Sequence, residues 1–394
     1  MKYFIALIVS LGFSAPVWAE QKVPQSQMEI QLSFVPLVKQ AAPAVVNIYA
    51  TRVTEARGNS FLDDPFFQRF FEGAAPEPRA QNSLGSGVIL SPNGIVVSNY
   101  HVVGMATDIR VVLNNRREYS ARVLLGDEAS DLAILQLEDA SDLPSLALRT
   151  SDDVQVGELT LAIGNPFGVG QTVSSGIISG LARSGGSDGN GTGYFIQTDA
   201  PINPGNSGGA LVDMAGRLIG INTSILTRSG GSNGIGFAIP SDLVAEFVNQ
   251  AKAGSDRFHR AWAGVSGQVL DYDMAASFGL DRSGGVIITD LHPASPFRTV
   301  GFEVGDVITA VDGQPVISGG EMLFRMSVGG IGNTAVVTRT RNGEASDVTV
   351  ELISAPDYPP RDFTVLGDDA ILAGLELALA NPAVSEELRL SPNI

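Results

Sequence analysis

The chain has 394 residues, 44% of them hydrophobic, no cysteine, three histidines and a formal net charge of −17. That length accommodates two or three domains, each with its own core. The missing cysteines exclude disulfides and thiolate metal sites, and the scattered histidines offer no zinc set, so neither cofactor nor metal is implied. The acidity excludes nucleic acid or an anionic membrane as the main partner, because both require basic surface.

In chain order, Lys2, the apolar run 3–13, Pro16 and Val17-Trp18-Ala19 form a secretory signal peptide over 1–19, cleaved after Ala19. An uncleaved anchor is the alternative, but the run is shorter than the roughly 20 apolar residues of a membrane span. Residues 20–40 read as a polar arm leading into a strand at 44–49. Inside the loop 52–82, Phe61, Phe66, Phe67, Phe70 and Phe71 fall within eleven residues. So much aromatic surface calls for cover by a neighbouring subunit or the active-site region.

From 84 to 239, short β-rich runs alternate with turn residues about every ten positions, the pattern of antiparallel barrels. The run 94–103 predicts a strand that delivers His101 to a rim, and Asp131 heads the apolar strand 132–137. Ser207 lies in Gly205-Asn206-Ser207-Gly208-Gly209, where flanking glycines allow positive φ and close approach of a substrate. A serine hydroxyl needs a base and an orienting acid. His101, Asp131 and Ser207 occur in the chain order of the double-β-barrel serine proteases. The nucleophile elbow of α/β-hydrolases is the alternative, but its acid and histidine follow the serine. Only His259, in a charged linker, and His292, in a binding-module-like stretch, do so here. A plain structural turn is the remaining reading. The glycine-rich loops 182–193 and 227–234 carry too little apolar surface to order themselves.

The spacing of Leu243, Val244, Phe247 and Val248 predicts a helix over 241–252, capped by Ser241, that closes a protease domain spanning 20–252. A linker, 253–260, leads to a second unit over 261–353, with helices near 274–280 and 321–326 and a closing hairpin at 335–352. After a second linker, 354–370, the segment 371–394 repeats the opening of that unit. Ala263 to Leu280 align without gaps on Ala373 to Leu390, pairing Asp271 with Asn381. Twenty-odd residues cannot bury a core, so this reads as an incomplete second unit. Chance likeness of a short apolar helix is the alternative.

With these residues in hand, the chain resembles the HtrA (Deg) family of periplasmic serine proteases, Do-like type. The markers are Gly85-Ser86-Gly87-Val88-Ile89, Ser98-Asn99-Tyr100-His101-Val102-Val103, Ser130-Asp131-Leu132-Ala133, Ala162-Ile163-Gly164-Asn165-Pro166-Phe167-Gly168, Gln197-Thr198-Asp199-Ala200, Gly205-Asn206-Ser207-Gly208-Gly209 and Gly234-Ile235-Gly236-Phe237-Ala238-Ile239-Pro240. The resemblance implies a mainly β chain, a chymotrypsin-like double β-barrel protease domain followed by a PDZ domain, the catalytic residues being His101, Asp131 and Ser207. It further implies an ATP-independent endopeptidase of the periplasm that degrades unfolded or damaged envelope proteins, holds misfolded chains and assembles as trimers. The oxyanion hole falls on Gly205, Asn206 and Ser207. Barrel proteases place the base of the primary pocket six residues before the nucleophile, here Pro201, with Thr223, Ser224 and Ile225 opposite. None is acidic, which suits small aliphatic substrate residues. Trp262, Ala263, Gly264 and Val265 resemble the PDZ loop that binds the terminal carboxylate of C-terminal peptides. Packing of Trp262 on the linker is the alternative. Tyr100 departs from the Asn or Ala more common in the family, and the short second unit departs from its large cages.

Overall fold

The computed structural model describes residues 33–54, 79–165, 170–183, 194–203, 205–225, 234–277, 283–367 and 371–388. The signal segment, the phenylalanine-rich stretch and most of the two glycine-rich loops lie outside them. The predicted arm ends in a helix, α1 (Val35–Ala41), whose Pro36 sits in the first turn, where its missing N–H costs no bond, and whose Leu37 and Ala41 are buried.

Two closed six-stranded barrels follow. The first comprises β1 (Val45–Thr54), β2 (Arg79–Ile89), β3 (Ile95–Ser98), β4 (Asp108–Val112), β5 (Glu118–Asp127) and β6 (Leu132–Leu137), ordered β1-β2-β3-β6-β5-β4. The second comprises β7 (Leu159–Gly164), β8 (Thr172–Arg183), β9 (Phe195–Thr198), β10 (Ala210–Val212), β11 (Leu218–Ile225) and β12 (Gly236–Pro240), ordered β10-β11-β12-β9-β8-β7. Closure leaves neither sheet an open edge. β3 is buried throughout and β6 nearly so, which explains their unbroken apolar sequence. The core of the first barrel runs on into Leu161, Ile163, Ala210 and Val212 of the second, so the seam between barrels is itself packed.

His101 does not ride on a strand, as the run 94–103 suggests. β3 stops at Ser98, and His101 lies on a short helical turn, α2 (Tyr100–Val103). Apolar periodicity could not separate the two, because Val102 and Val103 are buried in either form. The Tyr100 ring lies so close over Gly104 that a Cβ there would stand 2.4 Å from it.

Helix α3 (Ser241–Ala253) closes the barrels, ending on Gly254 in the left-handed conformation. Ser241 is not its cap: it is the first helical residue, and its hydroxyl donates to the Arg149 carbonyl and meets Ser151 Oγ at 3.1 Å. Phe247 of α3 stacks on Phe258 of the following stretch, 3.9 Å between centroids.

The next unit has a sheet ordered β13 (Val265–Val269), β14 (Val286–Leu291), β15 (Val307–Val311), β17 (Thr334–Arg341) and β18 (Glu344–Glu351), with β16 (Gln314–Pro315) on β15. Helices α4 (Tyr272–Ser277), α5 (Pro296–Thr299) and α6 (Gly319–Val328) complete it around Phe297, Phe302, Met322 and Met326. In the last segment β19 (Thr364–Val365) pairs with β20 (Glu376–Leu377), followed by α7 (Pro382–Glu387). Helices α4 and α7 keep the same offset as the aligned sequences, and Asp271 and Asn381 make the same capping bond, to Met274 N–H (2.8 Å) and Val384 N–H (3.0 Å).

Candidate active site

Each of the three predicted site residues is delivered by a different piece of the seam. Asp131 stands in the turn between β5 and β6 with φ +52°, a left-handed position that aspartate tolerates. Its carbonyl accepts from Asn99 Nδ2 (2.9 Å) and Tyr100 N–H (3.2 Å), which fixes the acid's turn against the turn that carries His101. The carboxylate lies 2.9 Å from His101 Nδ1 through both oxygens and also accepts the His101 backbone N–H at 3.0 Å. Donation from Nδ1–H leaves Nε2 as the ring's acceptor.

Thr223 of β11 closes the arrangement from the other barrel. Its Oγ1 donates to Asp131 Oδ2 at 2.6 Å, and its carbonyl accepts from Ser207 Oγ at 3.0 Å. One residue thus touches both the acid and the serine. Burial works against the charge of Asp131, but the imidazole beside it and the hydrogen bonds from His101 and Thr223 outweigh that and hold its carboxyl below the usual range.

The serine's loop is held by Ser86 of β2, a fully buried residue. Its hydroxyl donates to the Gly205 carbonyl (2.6 Å) and accepts the Asn165 N–H (2.9 Å). Its N–H donates to the Ser207 carbonyl (2.9 Å), and its own carbonyl accepts from Ser98 Oγ (2.7 Å). Gly205 has φ +93° and Gly208 φ +80°; a Cβ on Gly208 would stand 2.1 Å from the Ser86 oxygen. Of the three residues assigned to an oxyanion hole, Asn206 spends its N–H on the Asn203 carbonyl at 2.9 Å.

The expected pocket residues separate. Pro201 is exposed, its carbonyl accepting from Ser174 Oγ at 2.6 Å, whereas the Thr223 side chain is turned to Asp131. Ser224 and Ile225 are placed by their backbone on β11, opposite Phe237 and Gly236. In the second unit Trp262 is half-buried, its N–H donates to the Ile353 carbonyl (2.7 Å), and its ring meets His292 edge-on, 5.2 Å between centroids. The indole covers Gly264 (φ +59°) and packs on His292. Ala263 accepts from Ser295 Oγ at 2.6 Å through its carbonyl, and Val265 begins β13. Sequence reasoning quoted Ser86 only within a motif and gave Thr223 to the pocket. No signal marks Ser86 in the sequence, because β2 mixes polar and apolar residues along its length.

Comparison with known proteins gives the class of the two units. Residues 85–221 match the trypsin-like peptidase domain and residues 262–352 the PDZ domain. The chain is 40% identical over 397 aligned positions to a probable periplasmic serine protease do/HhoA-like of Haemophilus influenzae, covering 95% of this chain and 84% of that one. It is 39% identical to the periplasmic pH-dependent serine endoprotease DegQ of Escherichia coli, covering 88% and 76%. Among solved structures, the HtrA-type protease AlgW with decapeptide is 41% identical, with a TM-score of 0.59 over 82% of this chain and 99% of that one. The double barrel and its seam therefore define a trypsin-like serine protease joined to a PDZ domain. Within that class the chain belongs to the HtrA family of periplasmic serine endoproteases, the Do/DegP/DegQ-like enzymes.

Proposed function

We propose that the protein hydrolyses peptide bonds of unfolded envelope proteins with Ser207 as nucleophile, His101 as general base and Asp131 as the group that orients the imidazole. The observation that carries this reading is the pairing of His101 Nδ1 with the Asp131 carboxylate, and the gathering of that acid and the Ser207 hydroxyl on one residue, Thr223, through its hydroxyl and its carbonyl respectively. Ser207 Oγ attacks the scissile carbonyl while His101 Nε2 takes its proton. The same nitrogen then protonates the leaving amine, and water repeats the sequence on the acyl-enzyme. The Gly205 and Ser207 N–H groups meet the oxyanion, Asn206 serving as the turn that aims them. Pro201 and the β11 stretch Thr223-Ser224-Ile225 border a primary pocket without acid, which favours small aliphatic side chains over basic ones.

The second unit binds extended C-terminal peptides. β13 is an edge strand, paired only with β14 and mostly exposed, with α6 alongside, the arrangement that strand addition needs. Within the loop Trp262-Ala263-Gly264-Val265 the Trp262 N–H is spent on the Ile353 carbonyl, which leaves the residues after it to offer backbone N–H groups to the terminal carboxylate. The protease unit spans 20–252 after loss of the signal peptide 1–19, works as a homotrimer and holds misfolded chains as well as cutting them. Casein degradation tests the catalytic reading: full-length protein cleaves it without ATP, and Ser207→Ala and His101→Ala do not. Cleavage by either variant rejects the assignment.

A further inference from the structure

The turn that presents Asp131 is gripped from outside the barrels. Asp127, the last residue of β5, accepts the Ser130 N–H at 2.7 Å, and the Asp131 N–H donates to the Glu128 carbonyl at 3.2 Å, which closes the turn on itself. Arg260, in the stretch that leads from α3 to the PDZ unit, reaches back across it. Its Nη2 donates to Asp127 Oδ2 and to Ser130 Oγ (2.7 Å), and its Nη1 approaches Asp127 Oδ1 at 3.4 Å. Side-chain exposures of 32% for Arg260 and 16% for Asp127 keep this pair out of bulk solvent, where a surface ion pair would be worth little.

Arg260 is itself anchored. Its guanidinium lies 5.3 Å over the Phe258 ring, which stacks on Phe247 in the core. Gln250 of α3 pins the preceding residue through both its amide atoms, at 2.9 Å to the His259 carbonyl and 2.8 Å from the His259 N–H. The guanidinium is thus held in place by Phe258 and by the anchoring of its neighbour to α3, and it holds the residues on either side of the turn apex, four and one positions before Asp131. The clamp therefore acts on where the turn sits against His101 and not on the conformation of Asp131, whose φ of +52° aspartate tolerates.

We infer that Arg260 is a positioning residue for proteolysis: by clamping Asp127 and Ser130 it holds the Asp131 turn in register with His101, and so ties the path into the PDZ unit to the acid of the active site. The inference rests on Asp131 being the orienting acid.

The test is steady-state cleavage of a fluorogenic peptide by the full chain. Arg260→Ala lowers kcat ten- to hundredfold, as expected for a misplaced catalytic group, while KM stays within about twofold. Arg260→Lys recovers most of the loss. Asp127→Asn costs as much as Arg260→Ala, and the double variant costs no more than either. An unchanged kcat in Arg260→Ala, a loss confined to KM, a lysine variant no better than alanine, or losses that multiply in the double variant would each overturn the inference. Should Arg260→Ala fail to fold, Ser130→Ala, which removes one of the bonds, decides on the same kcat criterion. Asp131→Asn in the same assay separates the two claims. If it retains full turnover, the catalytic reading itself falls; if it is inactive while Arg260→Ala is unimpaired, only the clamp does.

Discussion

Thr223 and Ser86 carry as much of the site's geometry as the three residues that would do the chemistry. Thr223→Val keeps shape but removes the donor to Asp131 Oδ2. A hydrogen bond to a charged group is worth about 1.5–3 kcal/mol, so kcat should drop about ten- to hundredfold with little change in KM, measured on a peptide substrate. Gly208→Ala has no such latitude. The left-handed φ and the 2.1 Å approach of a Cβ to the Ser86 oxygen mean the nucleophile loop must shift. A loss above about 3 kcal/mol in thermal or urea unfolding is expected, together with loss of activity. His101, Asp131 and Ser207 were legible from residue type, chain order and flanking glycines, because that chemistry admits few alternatives. The supporting residues were not, since Ser86 lies in a strand of mixed polarity and has no signature until Gly205, Ser207, Asn165 and Ser98 are folded around it.

At the scale of elements, periodicity found the barrels and α3 but missed how short pieces end. Residues 94–103 looked like one strand because burial is continuous along them, although the chain changes from extended to helical at Asn99. The repeat, by contrast, was visible in sequence alone, because Asp271 and Asn381 perform the same capping task. Within the PDZ unit, the sequence says nothing of the pairing that fixes β17 to the turn before β15. The Asp306 carboxylate accepts from Arg341 Nε (2.6 Å) and Nη2 (2.7 Å) and from the Glu303 N–H (3.0 Å). Burial opposes its charge, but these bonds and the nearby Arg339 hold its carboxyl below the ordinary range. A carboxyl depressed in the folded state stabilises the fold above its unfolded pKa, and that stability disappears as pH falls through the lower folded value. The PDZ unit should therefore keep its melting temperature from neutral pH down to about 4 and lose it below. Asp306→Asn should cost about 3 kcal/mol at neutral pH, read by calorimetry.

For the whole molecule, the two functions meet along α6. Phe324 stacks on Tyr194 with centroids 4.1 Å apart, and Arg325, between them and Glu321, donates to Asp152 and reaches the Tyr194 hydroxyl at 3.3 Å. Tyr194 leads directly into β9 from the glycine-rich stretch 182–193. A contact this polar allows the units to part. Arg325→Ala should loosen it, seen as a larger radius of gyration in small-angle scattering and faster amide exchange along α6, with the melting of each unit little changed. At the far end, Glu387 pairs with Arg361 (2.8 Å) and Arg257 (2.6 Å), and the hydrogen bonds from these two guanidinium groups pull its carboxyl down to about 2. By the same sign rule, docking of α7 is fully present at neutral pH and is lost progressively as pH falls from the ordinary glutamate range toward about 2, which exchange of the α7 amides between pH 7 and 2 would follow. High salt should weaken it as well, since these side chains are exposed.

The account stands or falls on the serine. Treating the full chain with a fluorophosphonate and mapping the adduct by peptide mass spectrometry asks directly which hydroxyl is activated. The seam geometry predicts a single adduct, on Ser207, that disappears in Ser207→Ala and in His101→Ala while both variants remain folded by circular dichroism, His101→Ala melting lower because it leaves the Asp131 carboxylate without its imidazole partner. An adduct on another residue, or labelling of Ser207 that is indifferent to the loss of His101, would contradict it.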